Sequence, residues 1–91
     1  MKYYYHLSVA FYLSNNSQAV DNALNDPNGN WLRYNNNSWI IYTDKTPLQL
    51  TAIVNNVLLP NDQYLIVKLE RGVGVGRLPQ WVWNWINTQR A

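Results

Sequence analysis

Ser38-Trp39-Ile40-Ile41-Tyr42-Thr43-Asp44-Lys45-Thr46-Pro47 reads as a strand that runs straight into a helix. Trp39 to Thr43 are all aromatic or β-branched, the types that suit a pleated sheet. Thr46 offers a hydroxyl to the open N–H groups of a helix. Pro47 suits the first helical position, where a missing N–H costs nothing. Leu50, Ile53, Val54, Val57 and Leu58 then recur at helical spacing. The helix has to stop by Leu59, because Pro60 disfavours a helical residue before it. A strand from Tyr64 to Leu69 follows at once. Ser38 to Leu69 is therefore a β-α-β unit.

Upstream, Tyr3, Tyr5, Leu7, Val9, Phe11 and Leu13 alternate with Lys2, Tyr4, His6, Ser8, Ala10 and Tyr12. A period of two sustained that long predicts a strand. Its odd face is apolar and should meet helices. Its even face is mixed and aromatic. Ser14-Asn15-Asn16-Ser17 is a turn that also supplies helix caps. Ala19, Val20, Ala23 and Leu24 make the stripe of a short helix, ended by Asp26-Pro27-Asn28-Gly29. Trp31 to Tyr34 reads as a strand, and Asn35-Asn36-Asn37 joins it to the opening stretch as a hairpin.

The predicted order is β-α-β-β-α-β, with a C-terminal helix starting near Pro79. Right-handed crossovers turn that order into an α+β, ferredoxin-like sandwich with a four-stranded antiparallel sheet. The chain of 91 residues is one domain, residues 1–91. Residues 1–71 form the βαββαβ core, and 72–91 carry a glycine-rich segment and the last helix. Leu65, Val67 and Leu69 are expected on the core side of the last strand, with Ile66 on the open face.

Composition narrows the function. Hydrophobic residues are 47% and charged ones only 13%, so the chain folds but carries few charges. The net charge of +2 is too small to announce nucleic-acid binding. Five tryptophans and seven tyrosines suggest that some aromatics meet a partner. Without cysteine there is neither a disulfide framework nor thiolate chemistry. No apolar run reaches the roughly 20 residues of a membrane span. Met1-Lys2-Tyr3-Tyr4-Tyr5-His6 is too polar for a signal peptide, so a cytoplasmic location is expected.

Three stretches carry a family resemblance. They are Ser38 to Thr43, then Leu59-Pro60-Asn61-Asp62-Gln63-Tyr64-Leu65-Ile66-Val67, then Leu78-Pro79-Gln80-Trp81 with Trp85. In layout the chain resembles the SinR-like small prokaryotic and phage proteins. These share a superfamily with the non-integrase CRISPR adaptation protein and with VapD-type ribonucleases. The resemblance implies a ferredoxin-like fold, dimerisation through the open sheet face and, in some members, metal-dependent nuclease activity. Nuclease members carry an aspartate at the end of the first strand. The matching position here is about Ala10, and no Asp or Glu precedes Asp21. A hard divalent cation needs oxygen ligands, which that position lacks.

The remaining candidates are binding residues. His6 is the only histidine, with no orienting partner near it in sequence, so it reads as structural or interfacial. Asp44 reads as a loop or capping acid and Asp62 as a turn residue. Gly72, Gly74 and Gly76 let backbone N–H groups approach an anion, and Arg77 would clamp it ahead of a helix N-terminus. A connector is the competing reading of that segment. Trp81 and Trp85 share a helical face that should seal the core. Trp83 points away, toward a partner or a stacked base. Tyr4, His6, Ser8, Ala10, Tyr12 and Ile66 are the expected dimer interface.

The expectation is a non-enzymatic homodimer without metal or cofactor, from a phage, mobile-element or prokaryotic-immunity setting. It would bind a nucleotide, a nucleic acid or a defence protein, as small counter-defence inhibitors do. The alternative is a ribonuclease or DNase of the same superfamily with displaced metal ligands. Magnesium or manganese should therefore elicit no cleavage of single- or double-stranded substrates. Cleavage that Asp44→Ala abolishes would establish the alternative.

Overall fold

A computed structural model describes residues 1–27, 29–69 and 80–88. The elements run β1 (Tyr3–Ala10), α1 (Ser17–Leu24), β2 (Asn30–Asn35), β3 (Ser38–Thr43), α2 (Pro47–Asn55), β4 (Gln63–Leu69) and α3 (Gln80–Thr88). The strands form one antiparallel sheet in the order β2-β3-β1-β4.

Local chemistry explains the boundaries. At the start of α2, Gln49 N–H donates to Thr46 Oγ1 at 3.2 Å and Thr46 N–H donates to Gln49 Oε1 at 2.9 Å. This reciprocal box satisfies two donors that the first helical turn leaves open. In the hairpin, Val9 N–H donates to Asn37 O at 2.9 Å and the Asn37 side chain returns a bond to Val9 O at 3.0 Å. Asn37 thereby extends the β1–β3 ladder past the end of β3. β1 itself ends at Ala10, earlier than the alternation through Leu13 predicts. Ala10 faces Gln63, the first residue of β4, so no strand remains for residues 11–13 to pair with. Asp62 closes the corner by accepting Tyr12 N–H at 2.8 Å and Leu59 N–H at 2.9 Å. It acts as the turn residue its setting predicts.

The two sheet faces carry different helices, α1 and α2 on one and α3 over part of the other. On the odd face of β1, Tyr5, Leu7 and Val9 join Val20, Leu24, Trp39, Ile41, Leu50 and Val54 in one core under α1 and α2. On the even face, Tyr4, Leu32, Ile40 and Tyr42 form a second core around Val82 of α3. Trp85 and Ile86 pack onto that core, completing an i, i+3, i+4 stripe from Val82. Trp81 belongs to the solvent side instead, at 53% exposure. It flanks the stripe on the outer side, which corrects the expectation that it seals the core.

The faces of β4 also differ from expectation. Leu65, Val67 and Leu69 stand opposite Ser8, His6 and Tyr4, on the even face. Ile66 stands opposite Leu7 and packs against the α1–α2 core. Residues directly opposite in an antiparallel pair share a face, so register decides the assignment.

Replacing Thr46 by Ala should lower unfolding free energy by about 1 kcal/mol, as loss of an N-cap does. Urea denaturation monitored by tryptophan fluorescence measures it. An unchanged midpoint would mean the capping box contributes nothing.

Candidate functional site

α3 does not span the whole even face. It covers β2, β3 and the Tyr4 end of β1. There the Tyr4 hydroxyl donates to Ile86 O at 2.6 Å, and its ring lies 4.8 Å from Tyr42 and 6.3 Å from Trp85, centroid to centroid. Beyond this cover lies a bare strip along β4, with Leu65 61%, Val67 44% and Leu69 36% exposed. Ser8 and Ala10 border it on β1. They are half-buried and exposed respectively.

The candidate interface residues thus separate. Ser8 and Ala10 lie at the margin of the strip. His6 is beside it, half-buried, with its Nε2 hydrogen-bonded to the Tyr34 hydroxyl. Tyr4 is buried beneath α3 of its own chain. Tyr12 lies past the end of β1 and is 66% exposed. Ile66 faces the other layer. Trp83 is half-buried on α3. Gly72, Gly74, Gly76 and Arg77 lie outside the described residues.

Asp21 is the polar residue that pattern reading missed. It is 8% exposed and accepts the Trp39 indole N–H at 2.9 Å. Arg33 Nε lies 3.2 Å from the same oxygen, and Arg33 also donates to Ser17 Oγ at 3.2 Å. Ser17, Val20, Asp21 and Leu24 are the buried residues of α1, and their spacing was the available signal.

The described cations are all engaged within the chain. Arg33 pairs with Asp21 and Lys45 with Asp26. The Asp26 hydrogen bond raises the Lys45 pKa. Lys68 sits 3.9 Å above the Tyr3 ring and Lys2 lies 5.7 Å from the Tyr42 ring. The Asp26–Lys45 pair borders a cleft of about 180 Å³ between the α1–β2 loop and α2, floored by Leu24, Ile41, Leu50 and Ile53. Asp44 is exposed in the neighbouring loop. Among the described residues, no three His, Cys, Asp or Glu side chains are grouped to hold a metal ion. No helix there is long and apolar enough to cross a membrane.

Comparison of the chain with protein-family models, with curated proteins and with solved structures returned no match.

Burial lowers the His6 pKa from its ordinary 6.5. As pH falls, the unfolded chain then takes the proton first, so stability declines from about pH 6.5 downward. The denaturation midpoint of the native protein should drop between about pH 7.5 and about pH 5.5 by more than that of His6→Gln. Equal drops would relieve His6 of this role.

Proposed function

We propose that the chain is a non-enzymatic binding module of the ferredoxin-like type, acting as a homodimer in a phage, mobile-element or prokaryotic-immunity setting. The observation that carries the reading is the bare row Leu65, Val67 and Leu69 on a strand at the edge of the sheet. Apolar surface in water costs about 25 cal/mol per Å², and contiguous exposed rows of it mark contact sites. A second copy sets its own equivalent row beside such a row and shields part of it from water.

The strand order β2-β3-β1-β4, with α1 and α2 on one face, supports the ferredoxin-like reading. The side chains support binding over catalysis. Asp21, Asp26 and Asp62 are committed to Trp39, Lys45 and the Tyr12 corner, and the His6 ring is committed to Tyr34. Among the described residues Lys2, Arg33, Lys45 and Lys68 are turned to partners inside the chain, and the surface they form suits a protein partner better than a phosphate backbone. The resemblance to SinR-like proteins supplies the setting.

Light scattering at concentrations well above micromolar should report twice the monomer mass. Val67→Asp should halve that mass while far-ultraviolet dichroism stays native-like. An unmodified protein that remains monomeric would sink the homodimer reading.

A further inference from the structure

The mating geometry of that homodimer follows from the backbone of β4, and it rests on the reading just given. Val9 N–H points to Asn37, on the β3 side of β1. Hydrogen-bonding direction alternates residue by residue in an antiparallel ladder. The odd residues of β1 therefore turn their amides to β3, and Tyr4, His6, Ser8 and Ala10 turn theirs to β4. Their partners Leu69, Val67, Leu65 and Gln63 point inward in return. That leaves the N–H and C=O groups of Tyr64, Ile66 and Lys68 directed outward, along an edge that no other strand of the sheet meets among the described residues.

We infer that a second copy pairs with this edge through its own β4, antiparallel, about a two-fold axis at Val67, giving one continuous eight-stranded sheet. In that register the outward groups of Ile66 bond those of Lys68 of the partner subunit. Leu65 faces Leu69 of the partner subunit, and Val67 faces the partner subunit's Val67. These are non-hydrogen-bonded positions, where opposed side chains approach most closely. Every residue of the bare row thus meets an apolar counterpart.

Neighbouring registers fit less well. An axis at Ile66 sets Leu69 against the polar Gln63 of the partner subunit. An axis at Lys68 sets two ammonium groups face to face, which is destabilising. With the axis at Val67, Lys68 lies across from an isoleucine and keeps its place over its own Tyr3 ring on the far face. The only charge on β4 is thereby held away from its copy. About an axis at Val67 only Leu65 to Leu69 of each β4 pair, and so short a ladder covers less than the about 1,600 Å² of a standard interface, so assembly should be micromolar and reversible on dilution.

The chain has no cysteine, so single cysteines report contacts cleanly. Across a non-hydrogen-bonded pair the Cα atoms lie about 4.5 Å apart, within disulfide reach. Under mild oxidation Val67→Cys should convert mostly to a covalent dimer, and less so on tenfold dilution. Leu65→Cys alone should stay uncrosslinked, because its copy lies about 13 Å away along the strand. Mixed with Leu69→Cys, it should crosslink. If light scattering reports a dimer of reduced Val67→Cys but oxidation leaves it unlinked, the edge pairing is wrong and the homodimer stands. Efficient linking of Leu65→Cys by itself would also overturn the axis. A monomer under all conditions removes both.

Discussion

The indole N–H of Trp39 is the group around which the first layer is arranged. Trp39 is fully buried at the centre of the sheet, so its donor has no water to turn to. An unmet buried donor costs about 1–3 kcal/mol. Asp21 meets it from α1, and a carboxylate that deep in turn requires a cation, which Arg33 brings from β2. One hydrogen bond therefore commits three elements to one arrangement. It sets the rotation of α1, because only the face carrying Asp21 can turn inward. It also sets the position of β2, because Arg33 has to reach Ser17 and Asp21 of α1.

With that layer in place, the sheet has a second face to account for, and α3 accounts for part of it. Val82, in its first turn, is fully buried, and Tyr4 of β1 and Tyr42 of β3 lie in the same cluster. The cover falls on the β2–β3–β1 side, leaving β4 both an edge strand and the strand with a bare face. Apolar side chains and outward backbone groups thus coincide on one element. Proteins that hide their edges use charge, proline or a covering loop there. β4 carries a single charge, Lys68, on the opposite face.

Much of this was legible in the residues. The capping pattern Thr46-Pro47-Leu48-Gln49 marks α2 because its chemistry is local, and the alternation in β1 is long enough to exclude a helix. The faces of β4 were not legible. Tyr64-Leu65-Ile66-Val67 is apolar on both sides, so periodicity carries no sign there, and only the pairing of Leu7 with Ile66 supplies one. Asp21 was missed for a related reason. A lone acid in a helix resembles a solvent residue until Trp39, eighteen positions away in sequence, is placed against it. The strip on β4 was invisible because it depends on where α3 stops, a tertiary fact.

The bond from the Tyr4 hydroxyl to Ile86 O spans 82 positions. The two cores consequently differ in how they are closed. The α1–α2 core is assembled from residues between Tyr5 and Ile66, whereas the second depends on a nine-residue helix returning from the far end of the described chain. Such a helix is too short to persist alone in water, so its order is borrowed from the sheet. Detachment of α3 would expose Tyr4, Tyr42 and Ile40 without disturbing a residue of the first core. Undocking of α3 is therefore a local opening that the first core does not have to share, a route by which the amides of α3 can exchange without global unfolding.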